Sequence, residues 1–130
     1  MANPNLLSAT SMYGKSTQAA GATDNPTILT CASNKFIKVT GLFLKNTGSA
    51  NYWATLSMIK SGGSAIEIFS SDITYREDFA GSTPEDTQQI FIYDIFKDST
   101  LYMEEGDVLK LDVENTDIVY TLCYEEYDDA

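Results

Sequence analysis

The chain has 130 residues, 43% of them hydrophobic and 12% aromatic, and a formal charge of −11. That length and apolar content fit one ordinary domain around one core and exclude a disordered chain. The acidic balance repels phosphate and argues against direct nucleic-acid binding, and the chain has no histidine, the commonest general base and metal ligand.

Residues 1–26 are rich in Ala, Ser, Thr and Asn, with Pro4 and Pro26 near the ends and thin apolar content. Such a segment buries too little surface to fold alone. It reads as an extended arm laid on its own domain or on a neighbouring subunit, anchored by Leu6, Leu7 and Tyr13. Residues 27–130 then read as one domain of short strands. Thr27–Cys31 is the first. Lys35–Asn46 is long, with Ile37, Val39 and Phe43 on one parity and Leu42 and Leu44 on the other. Gly41 falls at the switch, which predicts a bulge or a close backbone approach. Thr47–Asn51 is a turn. Tyr52–Lys60 alternates, with Ala54, Leu56 and Met58 inward and Trp53 on the other face. Ser61–Ser64 is another turn signal. A strand starts at Ile66 and can run on through Ile73 and Tyr75, inside a polar stretch over residues 70–88 that otherwise reads as a surface loop.

Gln89–Phe96 returns to strand, and Lys97–Thr100 turns. Leu101–Met103, Val108–Glu114 and Ile118–Glu125 complete the set. In the middle of that run Leu109, Leu111 and Val113 alternate with Lys110, Asp112 and Glu114, the pattern of a half-buried strand. Gly106 stands where a turn requires positive φ, beside Asp107, which can bond nearby backbone. No window carries an apolar stripe at helical spacing. About eight strands at this spacing predict an all-β protein: a single antiparallel β-sandwich, jelly-roll-like, with an extended N-terminal arm.

Reactive chemistry is sparse. Cys31 and Cys123 lie far apart with no CxxC pair, and read as buried free thiols, with a bridge between neighbouring strands as the alternative. Gly62-Gly63 is followed by Ser-Ala-Ile and not by the lysine of a phosphate loop. Glu67, Asp94 or Asp112 could supply the carboxylate pair of a glycosidase, but outward charges on alternating strands are usually a solvated face. Asp78, Glu85 and Asp86 could hold calcium, without the ordered spacing of a dedicated loop. Glu104, Glu105 and Asp107 repel one another across a turn, a repulsion that a Lys or Arg of another subunit could relieve. Tyr52, Trp53 and Tyr75 could stack on sugars, or serve as sheet packing and interface anchors. The sequence assigns no catalytic residue, metal ligand or cofactor. Its first residues lack a secretory signal, so synthesis in a cytoplasm is expected, and no stretch is apolar enough for a transmembrane helix.

Several segments together carry a family resemblance. These are the opening Met-Ala-Asn-Pro-Asn-Leu-Leu-Ser-Ala-Thr-Ser-Met-Tyr-Gly-Lys15, the run from Phe36 to Gly48, Ala54–Met58, Leu101–Leu109 with its Glu-Glu-Gly-Asp turn, and the ending Cys-Tyr-Glu-Glu126. Over most of the chain they resemble small virion structural proteins of cyanophages and related marine tailed phages. Residues 70–88 are longer than that pattern expects. The resemblance implies a non-enzymatic, β-rich part of a phage particle: a capsid decoration or cement protein, or a neck, tail or baseplate accessory. It implies assembly in a host cytoplasm, partners among other virion proteins and copies of the chain itself, and no nucleic acid or membrane. Leu6, Leu7 and Tyr13 are the expected attachment residues, and Tyr52 and Trp53 the expected inter-subunit contacts. The alternative is a carbohydrate-binding β-sandwich module that meets host surface glycans.

Overall fold

The structure, a computed structural model, describes residues 12–75 and 92–128. Within them the chain forms β1 (Met12–Ala20), β2 (Thr27–Thr30), β3 (Lys35–Asn46), β4 (Tyr52–Ile59), β5 (Ala65–Ile73), β6 (Ile92–Asp94), β7 (Leu101–Met103), β8 (Val108–Val113) and β9 (Ile118–Asp128). No helix occurs among the described residues.

The strands build two antiparallel sheets. The first has the order β1-β9-β3, with β6 and β7 sharing the far edge of β3. The second has the order β2-β8-β4-β5. The pairings nest: β4 with β5, β3 with β6 and β7, β2 with β8, β1 with β9. Successive pairs fall in opposite sheets. With β6 and β7 counted as one interrupted strand, this is the eight-stranded jelly-roll arrangement. The expected β-sandwich is therefore the fold.

Two-residue periodicity builds the core. Leu109, Leu111 and Val113 of β8 are buried, whereas Val108, Lys110 and Asp112 are half-buried. Ile37, Val39, Leu42 and Leu44 of β3 meet Ala54 and Leu56 of β4 in the same cluster. Each fully buried leucine side chain contributes about 2–3 kcal/mol. The β3–β9 register slips between Val39 and Gly41, a bulge at Thr40. The extra residue lets both Val39 and Leu42 point inward and turns Phe43 outward, which explains the parity switch in the sequence.

Residues 12–20, the second part of the segment expected to form an arm, pair with β9 through nine consecutive register positions as β1. Leu6 and Leu7 lie outside the described residues, as does the polar stretch from residue 76 to residue 88.

Two buried polar side chains close opposite ends of the sandwich. Asn46 Nδ2 donates to the carbonyls of Ala50 (2.7 Å) and Ile73 (2.9 Å), and its Oδ1 accepts from Gly48 N–H (2.8 Å). It thereby fixes the β3–β4 turn and ties the end of β5, in the second sheet, to the first. At the other end Asp107 accepts from Lys60 Nζ (2.6 Å), Ser61 N–H (3.0 Å) and Glu104 N–H (2.9 Å), joining the β4–β5 and β7–β8 turns. Gly106 beside it has φ +86°, as expected, and a Cβ there would stand 2.8 Å from Ser61 Cβ.

Candidate functional site

The outer faces of both sheets are uncovered by any described element, and the first sheet's combines apolar side chains with balanced charge. Residues that alternate with the core positions of β3 and β9 point there. Their register partners fall in rows across the sheet. Val119, Lys45 and Ile92 form one row, and Thr121, Phe43 and Asp94 the next. Cys123 and Gly41 lie across the middle, followed by Glu125, Lys38 and Tyr102, and then Tyr127 and Phe36.

Small and aromatic residues shape this face. A Cβ on Gly41 would meet the Phe43 ring at 3.0 and 3.3 Å, so the glycine is what lets that ring lie over the bulge. Phe36 and Tyr127 stack with ring centroids 4.7 Å apart and planes 7° from parallel. Phe36 is buried although it stands outside the core cluster. Tyr127 donates to Glu125 Oε2 at 2.6 Å, and this bond to a carboxylate raises the phenol's pKa above its ordinary value. At the β6–β7 edge Ile92 is 64% and Tyr102 54% exposed. A shallow groove of about 450 Å³ runs along Phe43, Ile92, Val119 and Thr121, with Gln18 and Lys45 at its sides.

Charge on this face is balanced. It carries Lys38 and Lys45 against Asp94 and Glu125. The second sheet's outer face carries Glu67, Asp72 and Asp112 against Lys110. Among the described residues neither Lys38 nor Lys45 has a carboxylate oxygen within 4 Å; the ion pairs run instead from Lys15 to Glu126, Lys35 to Asp128, and Lys60 to Glu104 and Asp107.

The residues singled out in the sequence are scattered. Tyr13 lies on β1, 49% exposed, with Lys35 Nζ 5.9 Å from its ring centroid. Tyr52 packs against the core, whereas Trp53 is 39% exposed on the second sheet's outer face. Consecutive strand residues point to opposite sides, so these two do not share one platform. Tyr75 stands past the end of β5, its N–H bonded to Asn51 Oδ1 at 3.2 Å. Glu67 and Asp112 share the second sheet's outer face, while Asp94 is on the first, where its Oδ1 accepts from Lys97 N–H at 3.0 Å. Asp78, Glu85 and Asp86 lie outside the described residues, among which no group of three His, Cys, Asp or Glu is placed to hold a metal ion.

The acidic turn resolves its repulsion within the chain. Lys60 serves both Asp107 and Glu104 (3.8 Å), and Glu105 accepts from Asn34 N–H at 2.8 Å. Burial pushes the Asp107 carboxyl up, but the Lys60 bond and the N–H groups of Glu104 and Ser61 outweigh it, and the net pKa lies below the ordinary value. The two thiols form no disulfide. Cys31 is buried against the carbonyls of Lys35 (3.3 Å) and Met103 (3.6 Å). Burial, reinforced by the Asp107 carboxylate, pushes its thiol up to about 11. Cys123 faces outward in the middle of the first sheet's outer face.

Sequence reasoning missed this face because its members come from β1, β3, β6, β7 and β9, and only strand order brings them together. The one local signal was the parity switch at Gly41.

No family model matches this chain, and no curated protein matches it.

Proposed function

We propose that this protein is a non-enzymatic structural component of a tailed-phage virion that acts by docking to other virion proteins and to copies of itself. The observation that carries the reading is the uncovered outer face of the first sheet. Ile92, Tyr102 and Phe43 present apolar surface there, and lysines and carboxylates are balanced in a chain that is otherwise strongly acidic. Exposed aromatic and aliphatic side chains on a rigid sheet are the anchors protein interfaces use. The resemblance of the N-terminal segment and the Glu-Glu-Gly-Asp turn to small phage virion proteins supplies the setting. Jelly rolls are frequent in viral capsid proteins, although a fold by itself assigns no function.

Mass spectrometry of purified particles is the direct test, and the reading expects the chain in stoichiometric amounts. A second arm removes residues 1–11, which leaves β1 whole. If Leu6 and Leu7 anchor the protein, the shortened chain folds and fails to decorate particles. A chain absent from purified particles overturns the reading.

A further inference from the structure

We infer that the outer face of the first sheet is a self-docking surface, on which a second copy of this chain packs face to face about a two-fold axis. The inference rests on the docking reading above only in its premise that the chain acts by being bound.

Charge argues for a second copy. Two molecules of charge −11 repel at long range. They can meet where opposing charges cancel, and this face carries two lysines and two carboxylates. An axis lying in the interface and running along the strands between β3 and β9 exchanges those two strands. Lys38 and Glu125 are register partners across β3 and β9, so the operation sets Lys38 of each copy over Glu125 of the other. An isologous contact requires this self-complementarity. The second sheet's outer face, with three carboxylates to one lysine, would bring two net-negative surfaces together under the same operation.

Size argues the same way. Strands of about ten residues rise about 3.3 Å per residue and stand about 4.8 Å apart, so four of them give a projected face of about 600–700 Å². A standard interface takes about 800 Å² from each partner.

The test is sedimentation velocity of the full chain over a concentration series, with circular dichroism to verify that each variant keeps its strands. The wild type is expected to reach twice its 14.3 kDa chain mass. Lys38→Glu sets two carboxylates against each other and should weaken the dimer at least about tenfold. Combining Lys38→Glu with Glu125→Lys restores opposite charges across the axis and should restore the dimer, and equal unfolding midpoints for the dilute, monomeric Lys38→Glu and double-variant proteins separate that rescue from repair of the same pair within one chain. Trp53→Asp, on the other sheet, should leave the dimer intact. The inference is overturned by a wild type that stays monomeric throughout, by a Lys38→Glu protein that dimerises normally, by a double variant that stays monomeric, or by a Trp53→Asp protein that dissociates. A chain found in particles but monomeric in solution defeats this inference alone. A dimer that never enters particles defeats the virion reading alone.

Discussion

Asp107 shows what a single side chain holds together. Its carboxylate receives one ammonium and two backbone N–H groups from turns that do not otherwise share a hydrogen-bond acceptor. Lys60 is 43% exposed, so water screens its share of the pair. Most of the cost of Asp107→Ala comes from stranding the N–H groups of Ser61 and Glu104, about 2–3 kcal/mol in denaturant unfolding. The folded-state pKa is depressed below the ordinary 3.8. The stabilisation is therefore complete above that value and is lost as pH falls through the folded-state value. Stability of the wild type should fall on acidification below about pH 4, and Asp107→Asn should lack that part of the loss. Cys31 gives a separate readout. Its buried thiol titrates only at about pH 11, so a thiol reagent at neutral pH should label Cys123 first and reach Cys31 on unfolding.

At the level of elements, β3 was readable to the residue, because its Lys35–Asn46 bounds are set by turn residues on either side and its parity switch marked the bulge. Leu101–Met103 was equally clear, and β8 ended one residue earlier than the alternation implied. Residues 12–20 were harder. MYGKSTQAA has almost no strand signature of its own and is strand only because β9 offers it an edge, a tertiary effect that overrides local propensity. That difference is measurable. Deleting residues 1–20 removes all nine β1–β9 register positions and should lower the melting temperature, whereas deleting residues 1–11 should not. Gly41→Val makes the complementary point. Its Cβ would begin 3.0 Å from the Phe43 ring. The ring must lift off the sheet, at a cost of about 1–3 kcal/mol in thermal or denaturant unfolding.

For the whole molecule, class was legible and arrangement was not. Alternation and turn spacing specify sheets packed on one core, but they are silent on which strands become neighbours. The nested order joins β1 to β9 across almost the full chain, and no local signal encodes such a contact. Trp53 was legible as an outward aromatic from the alternation of Tyr52–Lys60, whereas the outer face of the first sheet is assembled from five separated strands. The same nesting sets folding speed. The outermost pairs close the longest loops, so refolding should occupy the millisecond-to-second range typical of all-β sandwiches, read by stopped-flow fluorescence of Trp53. Met12 lies across from Tyr127, so the first and last described strands begin and end at one pole, alongside the turns at residues 31–34, 60–64 and 104–107. A fluorescent or electron-dense passenger fused to the carboxyl end would sit at that pole too, leaving the turns at residues 21–26 and 47–51 bare, and would thereby tell an imaging experiment which way up each copy stands.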